Sequence, residues 1–131
     1  MFIRLFRQYG NMTEEDRLSV IARNGAIIAP ALADMGNGAR DFLNFFSAVC
    51  ADNGKISTDE YKTLAKAVDG LPEYGAAFER EVVRSLEDSV EALSLLGDDE
   101  KSALVSLCLC FCASGGKISR RAKRALKALI G

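Results

Sequence analysis

The sequence predicts an all-α, multihelical single domain in which two repeated helix–turn–helix hairpins surround buried central helices. Three observations lead to this prediction. Apolar residues recur at helical spacing along most of the 131 residues, and no sustained two-residue alternation occurs. The chain contains only two prolines, and its glycines cluster at the boundaries of the apolar stretches. A segment in the first half matches a segment in the second half at an offset of 62 residues.

Length and composition are those of one globular domain, residues 1–131. Hydrophobic residues make up 49% of the chain and charged residues 27%, which are ordinary proportions for a folded protein. The net charge of −1 gives no reason to expect a nucleic-acid partner. No apolar run reaches the roughly 18–20 residues that cross a bilayer. We therefore expect a cytoplasmic protein without a cofactor, whose four cysteines are reduced.

The first half of the chain contains four predicted helices. Thr13 is a suitable N-cap for the second of them, and Pro30 is expected to kink or restart that helix. The turn at residues 36–38 separates it from an apolar third helix at residues 39–50, and Ser57 begins the fourth. The apolar faces predicted for the first two helices consist of Phe2, Leu5, Phe6 and Tyr9, and of Leu18, Ile21, Ala22, Ile28 and Leu32.

The second half begins with a long acidic stretch, in which apolar residues recur about every four positions from Tyr74 to Leu93. Gly97 is predicted to end this helix, and Asp98 is predicted to cap the next one. Residues 103–113 are apolar on almost every side, which predicts a buried central helix. A serine at position 119 then caps a short basic last helix.

Charge is distributed unevenly in this half. Residues 73–101 carry nine acids and three bases, whereas residues 102–131 carry six bases and no acid. Such an asymmetry either guides a partner or reflects two solvated faces that lie against each other. We expect the second arrangement.

The internal repeat spans residues 39–68 and 103–130. Its central sequence, Gly-Lys-Ile-Ser, is identical at residues 54–57 and 116–119. In each copy the glycine permits a left-handed backbone after an apolar helix, the isoleucine is expected to be buried under the turn, and the serine caps the following helix. Two such hairpins, each with one apolar face, are expected to bury each other.

The repeat resembles a motif of the TerB-like superfamily: an apolar helix, then Ala-Asp-Gly-x-Ile, then a glutamate a few residues later. The matching residues of the first copy are Ala51, Asp52, Gly54, Ile56 and Glu60, with Asn53 directly before the glycine. The superfamily includes tellurite-resistance TerB proteins and the N-terminal domain of some membrane-anchored DnaJ-type co-chaperones. The resemblance covers both hairpins and implies a multihelical fold, a link to stress responses and acidic residues that bind a divalent metal. The second copy has no acidic residue in its turn.

A divalent-metal site in the first turn is one interpretation of this motif, with Asp52, Asn53 and Glu60 as candidate ligands. If the turn is compared with an EF-hand loop, its first and third positions require carboxylates. Val49 and Ala51 occupy these positions. The remaining oxygens are therefore too few for a calcium cage.

Glu60 has a second interpretation, as part of a helix cap. Ser57 and Glu60 have the spacing of a capping box, in which the serine and the glutamate each bind a backbone N–H of the same helix start. The second copy has Ala122 in place of the glutamate, so its box is half lost. We expect Glu60 to cap its helix rather than to bind metal.

The cysteines at positions 108, 110 and 112 lie on the predicted central helix. Cys108 and Cys112 share a helical face while Cys110 points away, so three thiolates do not converge. The chain has no histidine to complete a zinc site. We expect all four cysteines to be buried core residues, with Cys50 and Cys112 at equivalent positions of the repeat.

No motif indicates catalysis, and we do not expect an enzyme. The absence of histidine removes Ser-His-Asp and Cys-His nucleophile systems, and no phosphate-binding glycine loop occurs. The expected function is that of a non-enzymatic helical interaction or scaffold module with a protein partner. The alternative is a divalent-metal-binding or metal-sensing domain that uses the turn at residues 52–60.

The N-terminal stretch offers one further alternative. Arg4 and Arg7 lie opposite an apolar face, and such a helix binds an acidic membrane surface in some proteins. Only two bases support this interpretation, and we expect a first core helix instead.

Overall fold

Seven helices and no strand are found among the residues that the computed structural model describes, which are 2–51, 56–72 and 85–131. The all-helical class is therefore confirmed. The helices are α1 (Phe2–Gly10), α2 (Glu14–Ala33), α3 (Gly38–Cys50), α4 (Thr58–Ala67), α5 (Leu86–Leu93), α6 (Asp98–Gly115) and α7 (Arg120–Ile130).

Four helices begin at a hydroxyl side chain that accepts a backbone hydrogen bond from the third helical residue. These N-caps are Thr13, Ser57, Ser85 and Ser119. The caps predicted at positions 13, 57 and 119 are confirmed. Each one satisfies a backbone donor that the first turn of a helix leaves free.

The predicted boundary at Gly97 and Asp98 is wrong. Helix α5 already ends at Leu93, and Gly97 is itself the N-cap of α6, with Asp98 as the first helical residue. The carboxylate of Glu100 folds back over this cap, so closely that a Cβ at position 97 would lie 2.5 Å from its Oε2. Gly97 therefore marks the start of α6 rather than the end of the preceding helix.

Two other helical predictions are also corrected. The acidic stretch is not one continuous helix, because the backbone at Ser85 is extended and a new helix begins at Leu86. The part at residues 73–84 lies outside the described residues. Of the two outcomes predicted at Pro30, a kink or a restart, the restart is wrong, because α2 continues through Pro30 to Ala33.

Helix α6 lies at the centre of the core, as predicted, and packs against both α1 and α2. Of the apolar face predicted for α2, Ala22 is exposed and Leu18 is 45% exposed, whereas the other three residues are buried. The side chains that are almost completely buried include Phe42, Phe45, Phe46, Leu64, Leu104, Leu107, Leu109 and Leu126.

Each predicted hairpin contains two successive helices, α3 and α4 in the first and α6 and α7 in the second, while residues 52–55 between α3 and α4 lie outside the described residues. Their arms, however, pack mainly on other helices: α4 lies against α2, and α7 lies against α3 and α5. Ile56 is buried as predicted, but Ile118 is only half-buried. Gly116 has the predicted left-handed backbone, with φ of +81°, while Gly54 lies outside the described residues.

The first and last helices both pack against other helices of the domain. Helix α1 places its apolar face on α6, which agrees with the prediction of a core helix. The acidic helix α5 contacts the basic helix α7, which brings the two oppositely charged segments of the chain together. Within the described ranges, no helix has the length and apolar character needed to cross a membrane.

Candidate functional site

The approach of α2 to α4 determines where a cleft opens. A Cβ built on Gly25 would lie 2.2 Å from the carbonyl oxygen of Ala67, so the two helices are in close contact at this point. The N-terminal turns of both helices lie at the opposite end and line a cleft of about 430 Å³. The helices therefore run in the same direction and meet at Gly25, which leaves their N-termini free to form a site.

The cleft is also lined by the C-terminal ends of α3 and α6. Its charged residues are Glu14, Arg17, Asp59, Glu60 and Lys117, and its other side chains include Leu18, Ile21, Phe111, Cys50 and Cys112. Acidic side chains thus lie at the mouth together with an exposed leucine, and two thiols lie deeper. This is the place in the described structure where charged, apolar and thiol groups meet.

Arg17 holds the junction between α1 and α2 beside the cleft. Its Nη1 donates to the carbonyl oxygens of Tyr9 at 3.2 Å and Met12 at 2.6 Å. Its buried Nε has no hydrogen-bond partner among the described residues. The Tyr9 carbonyl belongs to the last turn of α1, where the helix dipole favours a cation, so Arg17 ties the C-terminal end of α1 to α2.

Glu60 forms the predicted capping box. The backbone N–H of Ser57 donates to Glu60 Oε1 at 3.2 Å, and the backbone N–H of Glu60 donates to Ser57 Oγ at 3.1 Å. The other two candidate metal ligands, Asp52 and Asn53, lie outside the described residues. No group of three or more metal-ligating side chains comes together in the part of the chain that the structure describes.

The four cysteines are free thiols, three of them buried and Cys50 half-buried. Cys50 and Cys112, which the repeat makes equivalent, face each other with their sulfurs 4.0 Å apart. The Cys50 thiol donates to the carbonyl of Cys108 at 3.4 Å, and the Cys112 thiol lies 3.6 Å from the carbonyl of Val49. The repeat predicted equivalent positions for Cys50 and Cys112 but not the contact between their sulfurs. The common repeat position was the signal that could have revealed it.

The two thiols of this pair differ in acidity. Hydrogen bonding with the neighbouring Cys50 side chain lowers the pKa of Cys112, although burial opposes this effect. Burial raises the pKa of Cys50 well above its usual value, and the adjacent Cys108 and Cys112 raise it further. Of the two, Cys112 is therefore the better thiolate and Cys50 the better proton donor.

Cys110 points to the other side of α6, as predicted. Its thiol lies 3.4 Å from the carbonyl oxygen of Arg17, to which it donates a weak hydrogen bond. Burial raises its pKa to about 11, partly opposed by the positive charge of Arg17. Cys110 is therefore a structural residue of the α2–α6 interface rather than part of the cleft.

A second polar cluster, buried between α3 and α5, was not found from the sequence. Ser89 donates its hydroxyl to Asp41 Oδ1 at 2.9 Å, and the amide of Asn44 donates to Ser89 Oγ at 3.0 Å. Ser89 is completely buried and Asp41 is 1% exposed. With no access for a substrate, this cluster fixes how α5 packs on α3.

Comparisons of this chain with protein-family models, with curated proteins and with solved structures find no match. The resemblance to TerB-like proteins, which depends on the turn motif, therefore stays a prediction. The class defined by the described geometry is an all-helical domain with a charged cleft.

Proposed function

We propose that this protein is a non-enzymatic interaction domain of TerB-like type, whose cleft binds an extended protein segment in which a basic side chain neighbours an apolar one. A role in a stress response, which the sequence resemblance implies, belongs to the same proposal. So does a cytoplasmic location. The observation that carries it is the composition of the cleft mouth, where carboxylates surround an exposed leucine.

Charge supports a basic ligand. Glu14, Asp59 and Glu60 are exposed at the mouth, and the structure gives the carboxylates of Glu14 and Asp59 no partner among the described side chains. Three carboxylates face two bases, Arg17 and Lys117, so the cleft lining carries a formal net charge of −1. A lysine or arginine of a partner would therefore meet a net acidic mouth.

An apolar contact supports a peptide rather than a free cation. Leu18 is 45% exposed on α2 and lies in the cleft, beside the buried Ile21 and the half-buried Phe111. Burial of such side chains by an apolar partner residue contributes free energy of binding in proportion to the area removed from water. The combination suits a short segment that carries both kinds of side chain.

Selection of displayed random peptides against the full-length protein tests this proposal. We expect the selected peptides to contain Lys or Arg beside an apolar residue, and their affinity to fall as salt is raised. The substitutions Leu18→Ser and Asp59→Lys should each weaken binding of a selected peptide by roughly tenfold or more, measured by fluorescence anisotropy.

Ile27→Ser is the matched control. Ile27 lies on the same helix as Leu18 and is similarly exposed, 43% against 45%, but it is not part of the cleft. The Ile27→Ser variant should bind the selected peptide with the affinity of the wild type. Selected peptides without a basic residue, or equal affinities for Leu18→Ser and Ile27→Ser, would show that the cleft is not the binding site.

The other function considered from the sequence, a divalent-metal-binding domain, depends on the turn at residues 52–60. The capping role of Glu60 competes with it, because one carboxylate oxygen already accepts a backbone hydrogen bond. No observation in the described structure favours this function. Thermal unfolding of the wild type and Glu60→Gln, with and without calcium, tests it.

A further inference from the structure

Two helix ends bring a pair of thiols together at the inner part of the cleft. Cys50 is the last residue of α3, and Cys112 lies in the final turn of α6. Both side chains line the cleft, and their sulfurs are 4.0 Å apart. They are separated by 62 positions in the chain, so only the fold brings them together.

The pair is held by reciprocal contacts. Each thiol is directed towards a backbone carbonyl of the other helix, that of Cys108 for Cys50 and that of Val49 for Cys112. These contacts keep the two side chains facing each other. They are weak hydrogen bonds, so little free energy is lost when the sulfurs leave them.

The geometry allows the two sulfurs to bond. A disulfide requires a sulfur–sulfur distance of roughly 2 Å, so the sulfurs must approach by about 2 Å. Cys50 is followed at once by Ala51, whose backbone is extended (φ −90°, ψ 133°) and whose N–H makes the last hydrogen bond of α3, to the Ser47 carbonyl at 3.1 Å. Only weak thiol–carbonyl hydrogen bonds oppose the side-chain rotations that bring the sulfurs closer.

We propose that Cys50 and Cys112 are a peroxide-reactive dithiol, which a hydroperoxide entering the cleft converts into a reversible disulfide between α3 and α6. This inference does not depend on the proposed peptide binding. It assigns the thiols of the cleft a chemistry of their own, with hydrogen peroxide or an organic hydroperoxide as the oxidant.

The reaction has two balanced steps. In the first, the Cys112 thiolate attacks one peroxide oxygen, an S–O bond forms, the O–O bond breaks, and the alcohol or water leaves with the thiol proton. In the second, the Cys50 sulfur attacks Cys112, an S–S bond forms, and hydroxide leaves with the Cys50 proton as water. The two thiols are oxidised, the peroxide is reduced, and an external dithiol reverses the change.

The difference in acidity within the pair assigns these roles. The lowered pKa of Cys112 favours it as the thiolate that attacks first, while the raised pKa of Cys50 keeps a proton available for the leaving group. Cys108 is fully buried and does not line the cleft, and Cys110 faces α2. Neither is expected to react first.

Peptide mapping of the peroxide-treated full-length protein tests the proposal. Trypsin releases Cys50 in the peptide 41–55 and the other three cysteines in the peptide 102–117. We expect brief treatment with hydrogen peroxide to link these peptides, with loss of two hydrogens and of two titratable thiols. Dithiothreitol should restore both thiols.

Single variants then identify the sulfurs involved. Cys112→Ser should abolish the link and slow thiol loss by roughly tenfold or more, whereas Cys110→Ser, a buried control in the same peptide, should keep both. Cys50→Ser should leave Cys112 as a sulfenic acid that a cyclic dione traps. Circular dichroism checks that each variant is folded, and if Cys112→Ser is not, fragmentation of the linked wild-type peptides locates the bond.

Three results would overturn the proposal. The first is four free thiols after peroxide treatment of the native protein. The second is a link that persists in Cys112→Ser or that fragmentation places at Cys108 or Cys110. The third is oxidation that dithiothreitol does not reverse. Failure of peptide binding would leave this chemistry standing, and failure of the chemistry would leave peptide binding standing.

Discussion

At the scale of single residues, Ser57 and Glu60 form a helix cap. A metal ion bound by Glu60 would have to compete with this capping interaction. The reciprocal hydrogen bonds of the cap involve neighbours three positions apart, so the backbone alone brings them together. The cluster of Asp41, Asn44 and Ser89 differs, because its members come from two helices. Sequence patterns reveal the first kind of contact and not the second.

Replacement of Glu60 by glutamine separates capping from metal binding. Glutamine still accepts a hydrogen bond in a capping box, so Glu60→Gln should change the melting temperature little, with or without calcium. A metal ligand at this position would give another result: calcium would stabilise the wild type through mass action and would not stabilise the variant. Thermal unfolding at sub-millimolar calcium measures the difference. A clear calcium-dependent stabilisation of wild type, lost in Glu60→Gln, would establish the metal function instead.

Removal of the Ser89 hydroxyl should lower the free energy of unfolding, because the buried cluster loses a hydrogen bond. Ser89→Ala leaves Asp41 without one of its hydrogen bonds in a site from which water is excluded. We expect a loss of about 1–3 kcal/mol in the free energy of unfolding, measured by urea denaturation. Ser102→Ala, at an exposed position, is the control and should change stability by less than about 0.5 kcal/mol. Equal stability of the two variants would contradict the structural role of the cluster.

At the scale of helices, the close contact of α2 and α4 positions the cleft. Because Gly25 has no side chain, the backbone of α4 approaches α2 at Ala67. The sequence gives no sign of this role, since an isolated glycine within a helical pattern ordinarily counts against the helix. The reason for the residue lies in the neighbouring helix.

A methyl group at position 25 should therefore force α2 and α4 apart. Alanine improves helix propensity by up to about 1 kcal/mol, but the clash with the Ala67 carbonyl outweighs this gain. We expect Gly25→Ala to destabilise the fold by about 1–3 kcal/mol in urea denaturation. Gly10→Ala is the matched control, because a Cβ there meets no atom within 4 Å, and it should be neutral or slightly stabilising. If Gly25→Ala were as stable as Gly10→Ala, the close contact would be wrong.

At the scale of the whole molecule, α6 joins the core to the cleft. Its buried residues contact α1 and α2, and its last turn supplies Phe111 and Cys112 to the cleft wall. Phe111 packs edge-on against Phe46 of α3, with ring centroids 4.9 Å apart. The position of the thiol pair is therefore set by the packing of the aromatic core.

The buried thiols should make global stability depend on alkaline pH. The folded-state pKa of Cys110 is raised from 9.0 to about 11, so the unfolded chain releases this proton at a lower pH than the folded one. The stabilising contribution is present below pH 9 and is lost as pH rises towards about 11. We expect the free energy of unfolding to fall across this range, and to fall less steeply in Cys110→Ala. Parallel curves for the two proteins would contradict the burial of this thiol.

The sequence by itself determined the helical class, the buried central helix predicted at residues 103–113, the caps at Thr13, Ser57 and Ser119, and the capping box of Glu60. These features depend on periodicity and on neighbours within four residues, which are local properties of the chain.

Tertiary structure alone decided the rest. It placed Gly97 at a helix start, left Leu18 exposed, and brought Cys50 to Cys112. The arms of each repeat pack on helices outside their own hairpin, so the repeat in the sequence did not predict the contacts between helices. Such contacts depend on which helix faces meet, and residues far apart in the chain determine those faces jointly.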